Sequence, residues 1–240
     1  MLADIDIAAR AWPEAHRVLA DGDAYGLPTK HCSLFARGYA PVFPLQRVSA
    51  YATPFNILHK SADEITALKN ARLTLVYLGL ESGSDVILKK IVKGSSKQME
   101  AALRHARETA LKVSATVILG LGGTMHWRAH AEETASLVNR QPPTYLSTLQ
   151  LVLDPALIDR FLERYGEPFH PQNDRAVLEE LRVMIENLAP PSPVIFRSNH
   201  ASNALPLAGT LPKDRNKLLT QIDQALSGYR ALRPELLRGL

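Results

Sequence analysis

An α/β fold built on a largely parallel sheet is what this sequence predicts, and two observations carry the prediction. Short apolar or β-branched runs at 16–20, 47–51, 73–80, 113–119, 145–153 and 194–196 alternate with stretches of helical period at 62–70, 85–92, 96–111, 126–139, 155–165 and 174–188. Strand–helix alternation on this scale is the pattern of βα units around a parallel sheet. The runs 73–80 and 113–119 are also nearly continuous in apolar residues, as expected of strands covered on both faces.

Local signals support the individual elements. Ser61 precedes the 62–70 stretch with Glu64 three residues on, the arrangement of a capping box. Over 96–111, Met99, Ala102, Leu103, Ala106 and Ala110 recur at helical spacing while Glu100, Arg104 and Arg107 fall between them. Pro190, Pro191 and Pro193 end the helix before them. Leu218, Leu219, Ile222 and Leu226 mark a closing amphipathic helix. The segment 31–44 departs from the scheme, because Gly38, Pro41 and Pro44 break its period.

Composition narrows the function classes. A chain of 240 residues should bury on the order of 70% of its unfolded surface and so needs no staples. With 46% hydrophobic and 22% charged residues it is an ordinary globular sequence rather than a disordered or fibrous one. The net charge of +4 is spread among apolar residues, as at Lys89, Lys90 and Lys93, which argues against a nucleic-acid partner. No run approaches the length of a membrane span, and residues 1–10 lack the pattern of a signal peptide, so a cytoplasmic location is expected. Cys32 is the only cysteine, which excludes a disulfide framework and any metal centre held by several cysteines.

Functional residues of parallel α/β sheets gather at the carboxyl ends of the strands. Asp21-Gly22-Asp23 follows the first run and could hold an amine or a hydroxyl pair, or simply form a turn. Glu81 closes a buried run and is followed by Ser82-Gly83; it reads as a ligand contact or as a cap on the next helix. Gly120, Gly122 and Gly123 suggest a loop before a helix that favours an anion, without the spacing of a dinucleotide fingerprint. Asn199, His200, Ser202 and Asn203 form a polar cluster that either contacts a ligand or ties its own loop down. His126 and His130 stand four apart with Trp127 where a zinc protease needs Glu, and they read as a solvent-facing helical pair. No metal ligands are expected.

Several of these segments resemble the radical S-adenosylmethionine (SAM) family. Leu75-Val76-Tyr77-Leu78-Gly79-Leu80-Glu81-Ser82-Gly83 with Leu88-Lys89-Lys90-Ile91-Val92-Lys93-Gly94 is similar to the fourth strand and helix of that fold, and Thr116-Val117-Ile118-Leu119-Gly120-Leu121-Gly122-Gly123 to its fifth strand. Phe196-Arg197-Ser198-Asn199-His200-Ala201-Ser202-Asn203 with Leu207 and Gly209-Thr210-Leu211-Pro212 is similar to the tail of one bacterial subgroup, related to the coproporphyrinogen oxidases and the elongator-type proteins. The resemblance runs from about residue 20 to 226.

The resemblance implies an incomplete parallel (βα)6 radical SAM-type barrel with a C-terminal helical extension. Residues 1–153 would form the partial barrel core, and 154–240 the last flanking helices, a short strand and the extension. It implies SAM as cofactor and a parent activity of reductive SAM cleavage driving radical chemistry on an unknown, small-molecule substrate. Asp21, Gly22 and Asp23 stand where the family usually has Gly-Gly-Glu around the SAM amino group. Glu81, with Ser82, matches the polar position facing the ribose or methionine part. Lys93 matches a basic residue that pairs with the SAM carboxylate, and Ile118 and Gly120 match the adenine-contacting segment. Asn199, His200 and Asn203 are expected to contact the substrate.

The chain departs from the family at Thr116 and Gly123, where Gly and Glu are usual, and at 154–157, where relatives continue Gly-Thr-Pro-Leu. The larger departure is the lack of the C-x-x-x-C-x-x-C loop, whose thiolates hold a 4Fe-4S cluster in the full-length parent. An N-terminally truncated chain, inactive alone, is therefore expected, with self-association through an open sheet edge. The alternatives are a non-catalytic module binding SAM, a nucleotide or a protein, or one half of a split enzyme.

Overall fold

The structure is a computed structural model that describes residues 47–238. The run at 16–20, Asp21, Gly22, Asp23, Cys32 and the irregular segment 31–44 lie outside the described residues. Six strands form one sheet in the order β1-β2-β3-β4-β5-β6. They are β1 (Val48–Ala52), β2 (Leu73–Glu81), β3 (Lys112–Leu119), β4 (Tyr145–Gln150), β5 (Val194–Ser198) and β6 (Leu207–Leu211). The pairs β1–β2, β3–β4 and β4–β5 are parallel, and β6 returns antiparallel beside β5. The helices are α1 (Pro54–Leu58), α2 (Ala62–Asn70), α3 (Asp85–Lys90), α4 (Ser96–Glu108), α5 (Gly123–Arg140), α6 (Ile158–Tyr165), α7 (Asp174–Asn187) and α8 (Arg215–Leu226).

The described residues fall in two compact units, one within 1–78 with His105–Lys112, the other Gly79–Arg104 with 113–238. In the first, the Ser61–Glu64 capping box forms as expected: Ser61 N–H donates to Glu64 Oε2 at 2.9 Å and Glu64 N–H to Ser61 Oγ at 3.2 Å. Ile57, Ile65 and Leu68 are buried. Lys69 Nζ donates to Thr109 O at 2.7 Å, closing an end of α2 onto the segment after α4. Two elements were not anticipated from the sequence. The one-turn α1 is started by Thr53, whose hydroxyl accepts from Asn56 N–H at 3.2 Å. Strand β6 is only five residues long, too short for a period to show.

The second unit holds every site discussed below. Its strands separate two faces. Ala115, Val117, Leu119, Leu146, Val194 and Phe196 are buried, whereas Thr116, Ile118, Ser147, Leu149 and Ile195 are half-buried and Arg197 is exposed. Parallel partners in register point the same way, so the pairs Thr116–Ser147, Ile118–Leu149 and Ser147–Arg197 continue one face across three strands. This corrects the expectation that 113–119 is covered on both faces. The run looks continuous because Ile118 lies on the open face, but its neighbours there are Thr116 and Ser147.

Helix α5 begins at Gly123, three residues earlier than the period suggested, and buries Ala131, Thr134, Ala135, Leu137 and Val138. His130 lies on the same stripe and is fully buried. The solvent-facing reading of the His126–His130 pair therefore fails at His130. Small residues around it let the helix approach the strands, and both ring nitrogens find partners inside. Helix α7 buries Val177, Leu178, Leu181, Met184 and Ile185, with Glu180 among them.

Candidate functional site

The carboxyl end of β2 is shaped around Gly79. Glu81 adopts a left-handed backbone conformation, φ 60°, uncommon for a residue with a side chain. Ser82 N–H donates back to Leu80 O at 2.7 Å, closing the turn. The Glu81 carboxylate lies over Gly79 and meets Lys93 Nζ at 3.1 Å. A Cβ at position 79 would collide with Glu81 Oε1 and stand 3.4 Å from Lys93 Nζ. Glycine at 79 thus makes the room that the carboxylate of the ion pair occupies. Glu81 is 16% exposed through its side chain and Lys93 48%, so the lysine end of the pair reaches solvent while the carboxylate is largely covered. A ligand ammonium that replaces the lysine, or a ligand carboxylate that replaces the glutamate, keeps the remaining charge compensated.

Immediately after Glu81 the chain turns inward. Gly83 N–H donates to Thr134 Oγ1 at 2.7 Å. A Cβ at 83 would lie 2.5 Å from the backbone of Glu133 and Thr134, so glycine is what admits α5 here. Ser84 N–H donates to Ser82 Oγ at 3.0 Å, and Ser82 Oγ lies 2.7 Å from His130 Nδ1. His130 Nε2 lies 3.1 Å from Ile118 O and 3.5 Å from Glu180 Oε1. Glu180 Oε1 accepts from Gly120 N–H at 3.0 Å. Burial pushes the His130 imidazole down to about 4, opposed by its hydrogen bond to Ile118 O, and pushes the Glu180 carboxyl up to about 8, opposed by Gly120 and Gln172.

Of the residues singled out from sequence, Glu81, Ser82 and Lys93 gather at the end of β2. Ile118 and Gly120 at the end of β3 are joined to Ser82 through His130 and Glu180. The third group is arranged differently. Asn203 Nδ2 donates to Thr148 O at 2.8 Å and Ser198 Oγ at 3.1 Å, while its Oδ1 accepts from Gln150 N–H at 2.7 Å. Both amide hydrogens are spent bracing β4 against β5. Asn199 and His200 are exposed, and His200 Nδ1 accepts from Ser202 N–H at 3.2 Å. Beyond them, Gln150 Nε2 donates to Asp174, which also pairs with Arg238; the arginine's hydrogen bonds, with help from Gln150, hold the Asp174 carboxyl below its usual range.

His130, Glu180 and Gly79 were not found by sequence reasoning. Glu180 had a visible signal: it is an acid at stripe spacing from Val177 and Met184 on an otherwise apolar helix face. The other histidine, His126, meets Glu167 Oε1 at 2.6 Å beside Lys90 at 3.1 Å, an arrangement at the surface. Hydrogen bonds from His126 and Lys90 lower the Glu167 carboxyl. Among the described residues no group of three His, Cys, Asp or Glu side chains could hold a metal ion. No described helix is long and apolar enough to cross a membrane.

No family model matches the sequence, and no curated protein does. Solved structures match by shape. One is the coproporphyrinogen III oxidase of Escherichia coli, described as a radical SAM enzyme, at 16% identity and a TM-score of 0.53, covering 67% of this chain and 36% of that one. Another is the radical SAM methyltransferase TsrM from Kitasatospora setae, solved with tryptophan and a SAM analogue, at 15% identity and a TM-score of 0.37, covering 58% and 25%. The chain has a radical SAM-like α/β fold and spans about a third of the length of the oxidase it matches.

Proposed function

We propose that this chain is the SAM-binding part of a radical SAM-type enzyme whose cluster thiolates come from elsewhere. The observation that carries the reading is the Glu81–Lys93 pair packed against Gly79 at the end of β2. The amino-acid end of SAM bears an ammonium and a carboxylate. An acid and a base 3.1 Å apart, the base half-exposed, exchange partners with such a zwitterion: Glu81 accepts from the ammonium and Lys93 donates to the carboxylate. The half-buried strip Thr116, Ile118, Ser147 and Leu149 offers the apolar and hydroxyl surface that an adenosine moiety needs. Bound there, SAM supplies a sulfonium carbon–sulfur bond for cleavage; the chain's own residues bind and orient it.

The iron–sulfur cluster does not fit the residues of this chain. One cysteine stands in 240 residues, and such a cluster takes several thiolates. The thiolates would belong to another part of a longer polypeptide or to a second chain, as in a split enzyme.

Calorimetric titration of SAM into the chain tests the reading. Saturable binding is expected, weakened by about 1–3 kcal/mol in Lys93→Ala and in Glu81→Gln, the range for a lost charge-assisted hydrogen bond. Binding unchanged in both variants would place SAM elsewhere. Anaerobic reconstitution followed by iron and sulfide assays should leave the chain without a stoichiometric cluster, and a full cluster would refute the assignment of its thiolates.

A further inference from the structure

The buried relay beneath the site has one consistent arrangement of protons. Ser84 N–H donates to Ser82 Oγ, leaving the Ser82 hydroxyl to donate to His130 Nδ1 at 2.7 Å. Nδ1 is then the acceptor and Nε2 carries the hydrogen, which the carbonyl of Ile118 at 3.1 Å requires in any case. His130 is thereby a neutral imidazole. Glu180 Oε1 accepts from Gly120 N–H and lies 3.5 Å from His130 Nε2, so this oxygen acts as an acceptor. Its Oε2 is buried with no hydrogen-bond partner, and no cation faces it from His130, Gly120 or Gln172. A buried carboxylate with one oxygen bare is costly. A proton on Oε2 removes the charge and leaves Oε1 to Gly120.

We propose that Glu180 is protonated at neutral pH and that, with His130 as the neutral Nε2–H tautomer, it is a positioning residue: together they fix the carboxyl end of β2, at Ser82, against that of β3, at Ile118 and Gly120. In the SAM-binding reading, on which this part rests, they set the spacing of the Glu81–Lys93 pair from the adenine strip. Burial of both groups acts in the same direction, raising the acid and lowering the imidazole. The groups that face Glu180 are His130 from α5, the Gly120 N–H from the end of β3 and Gln172 from the loop before α7. Helix α8, packed along α7, turns Asp223 to Arg182 at the surface, 2.8 Å away.

Isotope-edited infrared and nitrogen NMR on the intact chain decide the matter without any ligand. At pH 7 a protonated carboxyl signal that disappears in Glu180→Gln is expected, with His130 showing a bare Nδ1. Between pH 7 and 9 the amide signals of Ser84 and Gly120 should move together, and stay fixed in Glu180→Gln. That variant presents an amide oxygen to Gly120 and, like the protonated acid, carries no charge, so it should keep the pH 7 SAM affinity within about twofold and flatten its pH profile, whereas Glu180→Ala should lose about tenfold or more. An ionised carboxylate with an imidazolium at pH 7, or Ser84 and Gly120 amides that respond independently, would overturn the proposal. A protonated carboxyl and coupled amides in a chain that binds no SAM would uphold the relay and refute the SAM reading instead.

Discussion

Two acid–base pairs sit at the strand ends of the second unit, and they behave as different chemical objects. Glu81 and Lys93 meet at 3.1 Å with the lysine side chain 48% exposed. His130 and Glu180 lie 3.5 Å apart with both side chains fully buried. With the lysine reaching solvent, the first pair keeps its charged forms, and a zwitterionic ligand can take the place of either partner. In the interior each charge would carry a desolvation penalty of several kcal/mol, so the second pair holds its partners as neutral donors and acceptors. The open pair suits binding, and the closed one suits holding its neighbours still.

Truncating the closed pair should give the largest effect. His130→Ala leaves a cavity, removes the acceptor of the Ser82 hydroxyl and takes one donor from the Ile118 carbonyl, an expected loss of about 2–4 kcal/mol in urea unfolding. A loss below 1 kcal/mol would put the relay outside the stability core. The pH dependence comes next. Glu180 is raised from 4.5 to about 8, so its contribution is complete below pH 4.5 and is lost as pH rises through 8. His130 is lowered from 6.5 to about 4, so its contribution is present above 6.5 and is lost as pH falls through 4. The two slopes oppose each other between 4.5 and 6.5. Stability should therefore be flat there and decline from about pH 6.5 to 8, by at most about 1.4 kcal/mol per pH unit. Glu180→Gln should remove that decline, and a decline unchanged in the variant would assign it to another group.

Asn203→Ala sharpens the contrast from a third position. Its three hydrogen bonds brace β4 and β5, so about 1–3 kcal/mol of stability should go; an unaltered melt would return Asn203 to the role of a ligand contact alone. The smallest effect belongs to the open pair. Lys93→Ala should change stability by less than about 1 kcal/mol, and a larger drop would mean that the pair holds the fold rather than awaiting a ligand.

The alternation of apolar runs and helical periods was enough to locate β2, β3, α2 and α7, because those elements bury long stripes that show in the sequence. Strand β6 and helix α1, at five residues each, are too short for a period to appear. Glu81 and Lys93 could be singled out because they are charges at the end of a buried run. His130 could not be read correctly. Helical spacing put it beside His126, but the burial that separates them depends on how closely α5 approaches the strands, and that depends on Gly83 and Thr134 meeting across 51 residues of chain. The proton on Glu180 is further still from the sequence, since it follows from which atoms are left without donors once Gly120 and Gln172 are in place.

The most direct test of where SAM binds is a titration of the isotope-labelled chain followed through its backbone amide signals. The account predicts saturable shifts concentrated at 79–84, Lys93 and 118–123, with Gly79 and Gly120 among the largest and α8 silent. Shifts centred elsewhere, or none at SAM concentrations that saturate the calorimetric signal, would contradict it.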